Sequence, residues 1–463
     1  MLKIKNNPFN ARYWGVFDST AKYPEVISQS LILAFLIWFF MLHDGFGLDS
    51  QFDKISRDYG GRLISEFNYP EGDSDVRVVL FDENYVEAHG GWPPRFKEYS
   101  WLLEKVFLSQ PKSVTIDILI GNKPDIHLME GYDGFLAIIE AYKSAGIPLL
   151  FGFDKEAAVA DFYQDVSTTA ISWSGHEEFY PYSNDDGLLT PAFTIYEGLL
   201  DNQLASNDDI FVIWARNLSA KCKAESDTVP AEDYRWYNFS CHQSQSYIPG
   251  VTVGDLLADK RLARKYQSRK SCGSSDETDP LKIAHCKNIK LSQVAMEALN
   301  DKHIIIGADI TGLDDHHATP VDGNTPGVYF HAMALDNLLK LGNDYYKPAE
   351  EYFGITDIGT VIELVAIALN LMLFVYAKSR ITKLKKPHRI IKKSMKFLLI
   401  SLLIILSSCF VVTYIFKYAP SNILGLLAVD IVIIYAIEKM LEASLMSSGK
   451  VLKKNYNLLK GSR

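Results

Sequence analysis

Apolar residues fall along this chain in two kinds of run. Four are long: Val26–Leu42, Ile355–Ala377, Phe397–Phe416 and Ile423–Ile437. A helix crosses the roughly 30 Å of bilayer hydrocarbon with about 20 apolar residues. The long runs therefore predict transmembrane helices at 26–43, 355–377, 397–417 and 421–441, the last lengthened by its flanks. The first run is followed by HDGFGLDS, which lacks a small-x-small cleavage pattern, so it reads as a retained anchor.

The short runs lie between the first and second long ones and alternate with helical patterns. Val76–Phe81 ends on Asp82; Ser113–Ile118, Ile147–Phe153, Ile210–Ala215 and His303–Ile306 are further predicted strands. Helical periodicity covers about Arg95–Phe107, Phe135–Ser144, Ser292–Leu299 and Val328–Leu339. Strands alternating with helices predict an α/β domain, a mainly parallel mixed sheet flanked by helices, over 44–354.

Charge decides which side of the membrane that domain occupies. The segment 378–396 (KSRITKLKKPHRIIKKSMK) holds many lysines and arginines and no acid, and the tail 442–463 is also basic. So is the leader 1–25, with Lys3, Lys5, Arg12 and Lys22. Short basic segments stay in the cytoplasm. All three share one side only with four crossings and the middle domain outside. The net charge of −9 belongs to that domain. No basic groove interleaved with aromatics is present, which argues against a nucleic-acid partner.

Cys222, Cys241, Cys272 and Cys286 all fall in or beside the polar stretch 217–289, which reads as an insertion stapled by two disulfides of open connectivity. Zinc is the rival reading, since His242 and His285 adjoin two of them, but no C-x-x-C knuckle is present. Cofactors are otherwise not indicated.

Candidate binding residues follow from strand ends, where open α/β sheets gather ligands. Asp82 and Asp117 end predicted strands taken as neighbours; they either bind a ligand in one crevice or cap the turns that follow. Asp314, Asp315, His316 and His317 form the densest ionisable cluster, with His331 on a helix beyond it. That cluster suits either a divalent metal or a turn shaping the pocket. Trp92, beside Pro93 and Pro94, is either a packed corner or a stacking platform. No G-x-S-x-G, H-E-x-x-H or phosphate-binding glycine loop appears, so the chain is not expected to be an enzyme. In the membrane, Glu363 and Asp430 stand roughly 12–14 Å below the outer surface at 1.5 Å per residue. Asn370 shares the helical face of Glu363. Intramembrane carboxylates face a bundle interior or a partner, so these two either meet or accept a basic residue from a partner's helix.

Several of these residues fall into one order. An apolar strand ending at Gly307 leads to Gly312-Leu313, Thr319-Pro320, Pro326-Gly327-Val328, His331-Ala332 and Asn337-Leu338-Leu339. Upstream come Asp82, Gly91-Trp92-Pro93, Asp117 and Asp185-Asp186-Gly187. This series resembles the CHASE2 extracytoplasmic sensor domain of bacterial membrane receptors, over most of Asp49–Glu351 outside the cysteine-bearing stretch. The resemblance implies an inner-membrane protein with its domain in the periplasm and both termini in the cytoplasm. Two departures stand out. The arginine expected after the Trp-Pro motif is displaced, with Phe96 there and Arg95 beside it. No kinase, cyclase or phosphatase follows the last helix, only the basic tail.

The expectation is a sensor that detects a small molecule or envelope condition, with Asp82, Trp92, Arg95, Asp117, Asp314, His316 and His331 as the ligand-binding candidates. Its output would pass through the membrane helices to a partner protein in the membrane or cytoplasm, with homo-oligomerisation open. The competing expectations are a non-catalytic assembly subunit and, further off, an ectoenzyme.

Overall fold

The protein is described from a computed structural model covering residues 48–70, 72–120, 129–154, 166–172, 179–215, 248–258, 280–313, 315–319, 323–349, 351–352, 356–381 and 387–420. The chain divides into two compact units, Gly61–Pro348 and the pair of segments Met1–Gly60 and Ala349–Arg463.

Helix α1 (Leu48–Phe67) leads into the first unit. The strands of its sheet are β1 (Val76–Asp82), β2 (Ser113–Ile116), β3 (Leu149–Phe153), β4 (Ser167–Ala170), β5 (Gly250–Thr252) and β6 (His303–Asp309). They lie in the order β4-β3-β2-β6-β1-β5, and every pairing is parallel. Parallel strands covered on both faces carry near-continuous apolar runs, and VRVVLFD in β1 is such a run, buried from Val76 to Phe81.

Side-chain alternation divides the core in two. Val79, Phe81, Val114, Ile116, Phe151, Ile304 and Ile306 point to one face. There they meet α3 (Phe96–Leu108), α4 (Tyr132–Ala145), α6 (Val253–Leu256) and α7 (Pro280–Leu299). A short helix α2 (Glu83–Ala88) links β1 to this layer. Val76, Val78, Leu80, Leu150 and Ile305 point to the other face, against α5 (Pro191–Phe193) and α8 (Val328–Leu341). Between β6 and α8 the chain folds into a hairpin of β7 (His316–Thr319) and β8 (Gly323–Pro326).

Helix α8 approaches the sheet closely enough to dictate glycine beneath it. A Cβ added at Gly307 would lie 2.5 Å from Cβ of Val328, and one at Gly250 would overlap the hydroxyl of Tyr329.

Three features depart from the sequence reading. Ile210–Ala215 is buried but is not a strand of the sheet; it makes one antiparallel bridge, Tyr180 to Ile210. Its Ile213 instead pairs through both backbone groups with the side chain of Asn337. Asp82 and Asp117 do not end neighbouring strands, because β6 inserts between β1 and β2, with His303 level with both Val76 and Ser113. Within the stretch 217–289, residues 250–252 supply edge strand β5 and Val251, Val253 and Leu256 enter the core.

In the second unit a two-stranded ribbon, β9 (Glu351–Tyr352) and β10 (Thr356–Asp357), precedes helices α9 (Ile358–Ile381) and α10 (Pro387–Phe410). Among the described residues one helical stretch, Met395–Ile415, is long and apolar enough to cross a membrane. The proposed spans at 26–43 and 421–441 lie outside the described residues, as does Asp430. Glu363 lies in α9. Asn370 is buried, and Ser401 of α10 donates to its Oδ1 at 2.8 Å.

Candidate functional site

The direction of the crossovers reverses at the carboxyl end of β6. The helices after β1 and β2 pack on one face of the sheet, and α8, after β6, packs on the other. The chain thus departs in opposite directions from β6 and its two neighbours, the arrangement that opens a crevice in a doubly wound sheet.

Asp117 forms one wall. It continues the ladder beyond β2, its N–H donating to Ile306 O at 2.7 Å. Val114 and Ile116 face the α3 layer, so Thr115 and Asp117 face α8. Asp117 is 8 % exposed, and its Oδ1 lies 3.5 Å from Nε2 of His331 in the first turn of α8. The other ring nitrogen, Nδ1, is 2.8 Å from the hydroxyl of Tyr180, which accepts the N–H of Ala192 at 3.1 Å.

Burial pushes the phenol of Tyr180 far above its ordinary range, so it keeps its proton. Its oxygen accepts from Ala192 and lies within hydrogen-bonding distance of Nδ1 of His331, while Nε2 of the same ring faces the Asp117 carboxylate. The Ala192 N–H is itself one of the donors left over at the start of α5.

Asp315 forms the floor. Its carbonyl accepts the Gly327 N–H at 2.8 Å, closing the hairpin. Its carboxylate lies so close to Gly327 that a Cβ there would overlap Oδ1. Burial, with Asp117 next in weight, pushes the Asp315 carboxyl up to about 6, while His331 and His316 draw it down. At the rim, Nε2 of His316 lies 3.3 Å from Oδ1 of Asp309. His317 turns its ring to Phe330, centroids 5.4 Å apart.

Of the residues picked out by sequence, the structure brings Asp117 and His331 together and puts His316 at their rim. Asp82 instead caps α2, accepting the Tyr85 N–H at 3.0 Å. Trp92 packs edge-on against Phe81, ring centroids 6.3 Å apart, in the core. Arg95 precedes α3 and is taken up by Glu98, Glu130 and the carbonyl of His89; the Glu98 bond raises its pKa further. Asp185 and Asp186 stand in a turn closed by Asn184, whose Oδ1 accepts from Asp186 and Leu188. Asp314, Cys222, Cys241 and Cys272 lie outside the described residues, and Cys286 lies in α7. No group of three His, Cys, Asp or Glu among the described residues is placed to hold a metal ion.

Tyr180, which touches His331, carries no mark in the sequence, nor does Thr115, on the same face of β2 as Asp117. Tyr180 sits in the aromatic run FYPY, and Thr115 reads as an ordinary strand residue.

A family model described as the CHASE2 domain matches residues 31–375. No curated protein and no solved structure matches the chain.

Proposed function

The chain belongs to the CHASE2 family of extracytoplasmic sensor domains, and we propose that it is a multi-pass membrane receptor whose crevice at the end of β6 receives a small molecule. The observation that carries this reading is the Asp117–His331 contact. It puts a carboxylate and an imidazole, both nearly buried, at the switch point of a parallel sheet.

Four crossings, with the domain outside and the basic segments in the cytoplasm, are the topology this reading adopts. It is supported by the positive-inside count and by the apolar stretch Met395–Ile415. Along the chain, α8 carries His331 at its start and runs on through the β9–β10 ribbon into α9. A ligand that favours one placement of α8 thereby biases the helices that follow. The effector in this reading is a partner protein, and the domain binds its ligand without turning it over.

A thermal-melting screen of small metabolites against the full chain in detergent tests the reading. It predicts a compound that stabilises the wild type and fails to stabilise Asp117→Asn. Compounds that stabilise both proteins equally, or none at all across the screen, overturn it.

A further inference from the structure

The crevice has an excess of acceptors. Asp117 and Asp315 bring two carboxylates to it, and the charged groups bearing on Asp315 are Asp117, His331 and His316, with no lysine or arginine among them. Both imidazoles already have work. His331 is held between Tyr180 and Asp117, and its 3.5 Å approach to Asp117 is longer than a charge-assisted hydrogen bond. His316 faces Asp309.

A third acceptor lies on the same face of β2. Thr115, two residues before Asp117, is fully buried, and its Oγ1 has no hydrogen-bond partner among the described residues. A buried hydroxyl without a partner is costly and uncommon. Gly327 supplies the room: any side chain there would displace the Asp315 carboxylate from its place at the start of α8.

We propose that this crevice binds a protonated primary amine, whose ammonium sits between Asp117 and Asp315 with the Thr115 hydroxyl beneath. An ammonium carries three N–H donors and no acceptor, which matches three acceptors on one wall and floor. Calcium and magnesium are poorer fits, since they demand six or more oxygens. An anion would meet two carboxylates. The elevated Asp315 carboxyl agrees with this: its ionised form lacks a full countercharge until a cation arrives. The inference rests on the sensor reading of the crevice and adds the chemical class of what it senses.

The test uses the full chain in detergent at neutral pH, melted in the presence of butylammonium, butanol or butyrate. Butylammonium is expected to raise the melting temperature saturably, and the other two to leave it unmoved. Its affinity should fall about tenfold or more in Asp117→Asn and in Asp315→Asn, each of which removes a charged acceptor. Asp315→Asn relieves a buried charge, so loss of folding does not obscure that arm. No shift with butylammonium, or equal shifts in the wild type and both variants, overturns the proposal. A neutral or anionic metabolite that stabilises the wild type but not Asp117→Asn also overturns it, while leaving the sensor reading in place. If no compound of any class separates the wild type from Asp117→Asn, both fall.

Discussion

Oδ1 of Asp117 and Nε2 of His331 lie 3.5 Å apart, tying the end of β2 to the first turn of α8. The pair connects the half of the sheet that holds β2, β3 and β4 to the helix that leads, along the chain, toward α9. Its two members should respond differently to substitution. His331→Ala strips the buried Tyr180 hydroxyl of a hydrogen-bond partner, which should cost about 1–3 kcal/mol. Asp117→Asn keeps a hydrogen-bonding group facing Nε2 and should cost about 1 kcal/mol or less. Chemical denaturation of the full chain measures both.

Two buried groups make stability depend on pH in opposite directions. His303, buried at the amino end of β6 beside Ser113, is pushed down to about 4, first by burial and then by Lys112. Its unfolded form takes up a proton near 6.5, so the neutral ring's contribution is complete above that pH and is lost as pH falls toward 4. At about 1.4 kcal/mol per pH unit the span is roughly 3 kcal/mol. Asp315 does the reverse. Its carboxyl, held at about 6, favours the folded state below about pH 4 and loses that contribution as pH rises through 6. The wild type should therefore show a muted pH profile over this window. Asp315→Asn should unmask the His303 slope and be more stable than wild type at neutral pH by about 2 kcal/mol. Melting curves across the window check the sign and the size.

Gly307 should tolerate no side chain. An alanine Cβ would meet the Cβ of Val328 at 2.5 Å, and neither atom can rotate away. The strain should cost about 1–3 kcal/mol and shift the start of α8, so stability and ligand response fall together. Gly327→Ala should behave otherwise. Its φ of −55° suits any residue, and its obstacle is the mobile end of Asp315. It should lose ligand response with a stability change of about 1 kcal/mol or less. Comparing the two variants by melting and ligand titration separates packing from site geometry.

Asn337 is a structural member of the family series. Its amide accepts the N–H of Ile213 at 2.8 Å and donates to the carbonyl of the same residue at 3.0 Å. Asn337→Leu leaves two buried backbone groups without partners and should cost about 2–5 kcal/mol, without any change in which ligands bind. Denaturant titration with a retained ligand profile is the expected result.

In the second unit, Ser401 and Asn370 join α10 to α9. The proposed topology puts both helices in the bilayer, where interhelical hydrogen bonds are weak, averaging about 0.6 kcal/mol. A double-mutant cycle with Ser401→Ala and Asn370→Ala, read by unfolding in bicelles, should give a coupling of about 0.5–1.5 kcal/mol.

The central strands were legible because burial on both faces writes an unbroken apolar run, as in Val76–Phe81 and His303–Ile306. Edge strands β4 and β5 were not. STTA and GVT are short and partly polar, and they become strands through their neighbours. IFVIWA at 210–215 misleads for a related reason: a buried extended segment looks the same whether a strand or the amide of Asn337 satisfies its backbone. Strand order is a long-range property, so nothing local reveals that β6 parts Asp82 from Asp117. Asp117 and His331 were picked out from strand ends and residue chemistry, and the fold brings them within 3.5 Å of each other. Tyr180 was hidden, because its contact with His331 joins residues far apart in sequence that only the folded chain brings together.

The most direct test of the sensor account is native mass spectrometry of the full chain released from its own membranes into lipid nanodiscs. The account predicts a bound small molecule on the wild type that is absent from Asp117→Asn prepared in parallel. A wild-type chain without any such molecule, or one that Asp117→Asn retains to the same extent, would contradict it.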